Sequence, residues 1–181
     1  MIRDIPNLLT LTRIALIPIL IMAFYLEGKF GHWMVASIFT FACLTDWFDG
    51  IIARSYNVQS NFGRVLDPIA DKLLVASTLM MLVHFQRAPI VPAILILCRE
   101  ITVSGLREYL AEFKVSIPVS NLAKVKTTIQ FIAIIILILG EPTLGFKHAD
   151  LIGIAALYIA AFLTLITGYA YLKEGLQHIT K

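Results

Sequence analysis

Charge is scarce in this chain. Only 15% of its 181 residues are Asp, Glu, Lys or Arg, against 59% hydrophobic, where a soluble domain carries roughly 25% charged. So apolar a composition cannot cover the surface of a water-soluble fold with polar groups, and it calls for lipid around the protein. A large excess of either sign is also missing. The formal net charge of +3 is too small to point to a nucleic-acid partner. Cysteine is nearly absent: Cys43 and Cys98 each stand inside an apolar run, with no C-x-x-C. That excludes a disulfide framework and a thiolate metal site, and both read as small side chains packed between helices. Internal repeats, low-complexity segments and composition shifts are lacking too, so residues 1–181 read as a single domain. Finally, no small-residue cleavage site follows the apolar run that begins at Leu8. That run is therefore expected to be a first membrane helix and not a signal peptide.

Long hydrophobic stretches are what the chain has in quantity. A spanning helix needs about 20 mostly apolar residues, and six stretches qualify: Leu8–Leu26, Trp33–Arg54, Pro68–Phe85, Pro89–Leu110, Lys124–Gly140 and Leu151–Leu172. Turn residues separate them, at Gly28 and Gly31, Asn57 to Gly63, Pro89, Pro118 to Asn121 and Pro142 to Gly145. The expected fold is an all-α integral membrane protein of six transmembrane helices. Basic residues orient it. With the N-terminus cytoplasmic, Arg3, Arg13, Arg54, Arg64, Lys72, Arg99, Arg107, Lys114, Lys124, Lys126, Lys173 and Lys181 fall in or toward the cytoplasmic half, and only Lys29, Arg87 and Lys147 fall outside. Both termini are then cytoplasmic.

Ionisable residues inside membrane helices are costly and usually functional, and here they are concentrated. Asp46 and Asp49 are three apart on the second helix, and Asp67 and Asp71 are four apart at the start of the third. Each pair shares a helix face. The second helix runs toward the cytoplasm and the third away from it, so the acidic ends meet and four carboxylates converge there. Each such charge costs on the order of 2.5–3.5 kcal/mol at membrane depth, and mutual repulsion adds to that. Divalent cations resolve both problems, and hard oxygen ligands favour Mg²⁺, Mn²⁺ or Ca²⁺ over zinc. Two ions about 3.5–4 Å apart are the usual arrangement for displacement at phosphorus. Asp67, just before Pro68, reads as the acidic residue of a helix N-terminus. Asp46 and Asp49 approach a helix C-terminus, where a carboxylate gains nothing.

Neighbouring positions allow two readings each. Gly50 leaves room for a ligand or for a packed helix. Arg54 suits a phosphate or a cytoplasmic anchor. Arg99, Arg107, Lys124 and Lys126 lie on the fourth and fifth helices. Arg99 stands in an apolar run where a cation needs a reason, and Arg107 stands seven residues from Glu100, within reach of an internal ion pair. Together the four cations would make an anion pocket. His32, His84, His148 and His178 are scattered near helix ends and carry no catalytic expectation, while Trp33, Trp47 and the tyrosines read as core or interface anchors.

Written out, the acidic region is Asp46-x-x-Asp49-Gly50-x-x-Ala53-Arg54, eight residues, then Gly63-x-x-x-Asp67-x-x-x-Asp71. Eight defined positions over 26 residues resemble the complete signature of the CDP-alcohol phosphotransferases. The flanks, among them Asn7-Leu8-Leu9-Thr10-Leu11-Thr12-Arg13, Leu66-Asp67-Pro68-Ile69-Ala70-Asp71-Lys72, Arg99-Glu100-Ile101-Thr102 and Lys124-Val125-Lys126-Thr127-Thr128-Ile129-Gln130, look like those of the bacterial phosphatidylglycerophosphate synthases within that family. The resemblance implies two Mg²⁺ or Mn²⁺ ions on Asp46, Asp49, Asp67 and Asp71, with Asp71 also the general base. It implies that Gly50, Arg54 and Ser60 hold the CDP part of a CDP-diacylglycerol donor and that Asn7 closes over the nucleotide. It further implies a six-helix homodimer in the bacterial inner membrane, with the active site at the cytoplasmic ends of helices 2 and 3. The implied acceptor is glycerol 3-phosphate, whose phosphate would use Arg99, Arg107, Lys124 and Lys126.

Rival readings differ in what they need. Serine, inositol phosphate or phosphatidylglycerol could replace the acceptor, although a neutral acceptor would not require an anion pocket. A membrane prenyltransferase would need two widely separated acidic motifs. A cation channel or transporter would need the polar track to continue through the outer half of the helices, and it does not.

Overall fold

The computed structural model describes residues 5–56, 61–113 and 121–179, and the side chains of 9–45, 66–111, 113, 121–175 and 177. Six helices account for nearly all of these, with no strand among the described residues: α1 (Ile5–Ala23), α2 (Gly28–Tyr56), α3 (Asn61–His84), α4 (Ile90–Glu112), α5 (Asn121–Leu144) and α6 (Ala149–Ile179). The all-α expectation holds, and each expected apolar stretch lies on its own helix. Two of them, Asn121–Leu144 and Ala149–Gly175, are long and apolar enough to cross a membrane, and Leu9–Ala23 forms a shorter apolar helix.

The boundaries differ most at α3. The expected start at Pro68 moves back to Asn61, so Gly63 is helical and Pro68 lies inside the helix. Asp67 is therefore not a first-turn residue, and the helix-terminus reading of it is withdrawn. The physical reason is that proline removes a single backbone donor while its φ near −65° stays compatible with the helix. Lys72 Nζ reaches back to Pro68 O at 3.1 Å, one turn away. At α5 the regular path ends where expected. Gly140 has φ 65° and ψ 172° inside the segment, a non-helical conformation open essentially only to glycine, and the helix kinks there.

The core is mostly aliphatic, with Leu20, Leu74, Leu79, Leu82, Ile96, Ile134 and Leu157 fully buried together with the aromatic Phe39. Around it, small residues let helices approach. Ala36, Ala42, Ala93, Ala133, Ala160 and Ala161 are buried. A Cβ built on Gly153 would stand 2.8 Å from Leu137 Cδ2, which places α6 directly on α5, as small residues do between membrane helices. The outward faces are apolar as well: Met22, Phe30, Ile101, Phe162 and Tyr169 are all more than half exposed. Water would not tolerate so much exposed hydrocarbon on a monomer; lipid would.

Within this bundle α1 packs against both α2 and α3, α5 bridges α2 and α6, and α4 lies between α3 and α6. α1 thus lies beside both helices that carry the aspartates, and α4 and α5 bring their own polar residues to α3.

Because Leu137 is buried at 1% exposure, it has little room to yield. Gly153→Val should lower the thermal midpoint of the detergent-solubilised protein, by the equivalent of about 1–3 kcal/mol for overpacking. An unchanged midpoint would refute the close α5–α6 approach.

Candidate active site

Asp67 and Asp71 sit one turn apart on α3, on one face of the helix. Asp67 is held from α1: Thr10 Oγ1 donates a hydrogen bond to its Oδ1. Thr10 is completely buried, as is Arg13 one turn further along the same helix. Sequence reasoning counted Arg13 among the basic residues of one side and quoted Thr10 and Arg13 within a family-like flank, but gave neither a role of its own in the site. The signal was there, a threonine and an arginine three apart on one face of an otherwise apolar helix.

Asp46 and Asp49 lie on the last third of α2, with Gly50 and Arg54 following on the same helix. The side chains of these four, and that of Asn7 on α1, fall outside the described residues, as does Ser60 altogether. What is described is their support. Thr45 is buried, and its hydroxyl returns to Ala42 O at 2.8 Å, so the helix enters the acidic segment without a break.

A second polar group comes from α4 and α5. Lys126 is buried at 3% exposure, and its Nζ donates to Glu100 Oε1. Arg99 donates to the same oxygen at 3.0 Å and extends its other terminal nitrogen 3.4 Å to Thr167 on α6. One carboxylate thus ties together two cations from neighbouring helices. Such a pair is stable at depth only when each charge has a partner.

Between α3, α4 and α5 lies a cavity of about 250 Å³. Its polar wall is Asp71, Lys72, Glu100, Lys126, Thr127 and Gln130, and the rest is hydrocarbon, including Leu73, Leu97, Ile101 and Phe131. Asp71 is close enough to Lys126, and Lys72 to Glu100, for electrostatic interaction. Counting the wall with Arg99 behind it, three cations (Lys72, Arg99, Lys126) face two carboxylates (Asp71, Glu100). The lining alone balances at two of each sign, and the excess of one comes from Arg99, so an anion in the cavity would meet Lys126 with Arg99 as the additional charge behind Glu100.

The four cations proposed from sequence therefore divide. Lys126 lines the cavity and Arg99 braces it through Glu100, whereas Arg107 and Lys124 are exposed and lie outside its wall. Lys124 is two residues from Lys126, which on a helix is the opposite side. Glu100 makes its ion pairs with Arg99 and Lys126, and not the expected one with Arg107. Gln130, one turn beyond Lys126 on the same face, was not singled out from sequence. Among the described residues, no group of three or more His, Cys, Asp and Glu side chains is gathered closely enough for a metal ion. Half of the acidic quartet lies outside that set.

The model of the CDP-alcohol phosphatidyltransferase family matches residues 3–166. A protein of Rickettsia felis bearing the name CDP-diacylglycerol–glycerol-3-phosphate 3-phosphatidyltransferase is 50% identical over 171 residues, 94% of each chain. One of the same name from Rickettsia bellii is 51% identical over the same share. A third, from Escherichia coli K12, is 42% identical over 176 residues, covering 95% of this chain and 94% of its own. With that match and the acidic signature carried at the junction of α2 and α3, this chain belongs to the CDP-alcohol phosphatidyltransferase family.

Proposed function

We propose that this protein transfers the phosphatidyl group of CDP-diacylglycerol to glycerol 3-phosphate, giving phosphatidylglycerophosphate and CMP. The names of relatives at 42–51% identity over nearly the whole chain support the substrates. The observation that carries the chemistry is the cavity in which Asp71 shares a wall with the buried Lys126: a carboxylate base beside a cation that would hold the acceptor's phosphate.

In this reading Lys126, braced by Glu100 and Arg99, binds the phosphate of glycerol 3-phosphate and brings its C1 hydroxyl to Asp71. Asp71 takes the hydroxyl proton as the oxygen bonds to the phosphorus nearer the lipid. The bond from that phosphorus to the oxygen of the CMP phosphate breaks, and CMP leaves with the electron pair. Gly50, Arg54, Ser60 and Asn7 hold the CDP group, as the signature implies. The donor set fits hard divalent ions: Asp67 and Asp71 present carboxylates one turn apart, and Thr10 already fixes the orientation of Asp67. Two Mg²⁺ or Mn²⁺ ions on Asp46, Asp49, Asp67 and Asp71 would neutralise the diphosphate and the charge that develops on the leaving group. The acyl chains stay in the bilayer beside an apolar cavity wall. The surrounding protein has six spans with both termini cytoplasmic, in a bacterial inner membrane, and works as a homodimer. The exposed apolar faces support both lipid contact and self-association.

Four outcomes test this. Purified protein given CDP-diacylglycerol and Mg²⁺ should release CMP with glycerol 3-phosphate and not with serine, inositol phosphate or phosphatidylglycerol. A chelator should stop the reaction and added Mg²⁺ or Mn²⁺ should restore it; product formed from another acceptor would replace the substrate assignment. Asp71→Asn should keep CDP-diacylglycerol binding while turnover falls about a hundred- to ten-thousand-fold, the usual worth of a general base; near-normal turnover would remove Asp71 from that role. Lys126→Gln should raise the KM for glycerol 3-phosphate roughly tenfold or more, the worth of a charge-assisted hydrogen bond, with a smaller change for CDP-diacylglycerol. Lys124→Gln and Arg107→Gln should do less, and equal effects from all three would count against the cavity as the acceptor site.

A further inference from the structure

Gln130 stands out among the residues that the proposed reaction leaves unused. It is buried at 3% exposure on α5, its side chain lines the cavity between α3, α4 and α5, and its Oε1 has no hydrogen-bond donor among the described residues. A buried amide oxygen left without a donor costs about 1–3 kcal/mol, so native structures rarely keep one without a use. Nothing nearby relieves it. The donors that line the same cavity are engaged elsewhere: Thr127 Oγ1 donates to Ala123 O, Lys126 Nζ to Glu100 Oε1 and Lys72 Nζ to Pro68 O, and none of these bonds goes to Gln130 Oε1.

In the free protein a water in the cavity supplies the donor, and a ligand that displaces it must offer the same hydrogen bond, so the ligand's chemistry is constrained. The missing group must donate a hydrogen bond. A phosphate dianion carries no proton to donate, and neither do the diacylglycerol ester groups. The nucleotide does carry donors, but the residues matched to it lie on α1, on α2 and in the segment after α2, whereas Gln130 is on α5. That leaves the hydroxyls of the polyol acceptor. Gln130 follows Lys126 by four residues on the same helix face. A small molecule whose phosphate meets Lys126 therefore brings the adjacent carbons toward Gln130. The amide offers an acceptor and a donor together, the complement of a hydroxyl group.

We propose that Gln130 is a specificity-determining residue that binds the C2 hydroxyl of glycerol 3-phosphate and so selects a phosphorylated polyol over a phosphorylated simple alcohol. The proposal rests on the phosphatidyl-transfer reading above. A site built to hydrogen-bond a hydroxyl rejects an analogue that lacks it far more strongly than an apolar pocket rejects a missing methylene.

The probe is 3-hydroxypropyl phosphate, which keeps the C1 hydroxyl and the phosphate and lacks the C2 hydroxyl. With CDP-diacylglycerol and Mg²⁺, kcat/KM is measured for both acceptors in the wild type, in Gln130→Met, which keeps side-chain length without the amide, and in Gln130→Asn. The wild type should favour glycerol 3-phosphate at least tenfold. Gln130→Met should reduce that ratio to within about threefold, Gln130→Asn should fall between, and the KM for CDP-diacylglycerol should move less than twofold in both. A purely structural role would lower activity on the two acceptors alike and leave the ratio unchanged, and that result would overturn the proposal. Should Gln130→Met fail to fold, the wild type still decides, since an absence of preference between the two acceptors also overturns it. A wild type that uses CDP-diacylglycerol with some other acceptor and ignores glycerol 3-phosphate would overturn the transfer reading itself, and this one with it. Retained discrimination in an active Gln130→Met enzyme would sink only the assignment of Gln130.

Discussion

A charge can stay inside an apolar helix bundle only in company, and the arrangement of the polar residues follows from that constraint. Glu100 is the centre of it. Its carboxylate accepts hydrogen bonds from Lys126 on α5 and Arg99 on α4, and Arg99 reaches on to Thr167 of α6. Three helices are tied by one ionised group. Remove the carboxylate and two cations lose their partner in a medium that charges them several kilocalories per mole for it. Two cations share this one anion, and Asp71 across the cavity also acts on Lys126.

The same constraint operates on the acidic side with a different solution. Asp67 takes a hydroxyl donor from a fully buried threonine of α1, which orients one oxygen without cancelling the charge. A neutral donor of this kind fits a carboxylate that is to keep its negative charge for a cation. Arg13, buried one turn away on the same helix, adds a further buried charge to that face. α1 packs on both α2 and α3, and it reaches the acidic residues of α3 through Thr10.

Packing and chemistry are also linked through α6. Its small residues allow close contact: Gly153 faces Leu137 of α5, and Gly168 faces the aliphatic stem of Arg99, with a Cβ there only 2.9 Å from Arg99 Cγ. A bulkier residue at 168 would displace the arginine that braces Glu100. The α6 surface thus acts on the cavity without lining it, by setting how far Arg99 can retreat.

Much of this was legible without coordinates, and the reason is physical. Lipid permits few polar residues, so each aspartate in Asp46 to Asp71 stood out, and the periods of three and four residues placed each pair on one face. The six apolar stretches were visible because each is a long hydrophobic run set off by turn residues, and each lies on a helix. What the sequence could not resolve was which of several cations would be buried. Arg99, Arg107, Lys124 and Lys126 are the same in kind, and only the way α4 turns against α3, α5 and α6 puts Lys126 in the cavity wall and leaves Lys124 and Arg107 outside. The start of α3 was likewise undecided, because Gly63 and Pro68 carry turn propensities that the packed helix overrides. Gln130 shows the division most clearly. As a letter it is one polar residue at the edge of an apolar run, and its meaning comes from the walls around it: hydrocarbon on the neighbouring helices, no hydrogen bond to its Oε1 among the described residues, and an open space beside a buried lysine. Residue type and spacing determined the elements and the chemistry available to them. The tertiary structure alone decided which groups share a space, because burial and the satisfaction of hydrogen bonds belong to neighbours brought together from distant parts of the chain.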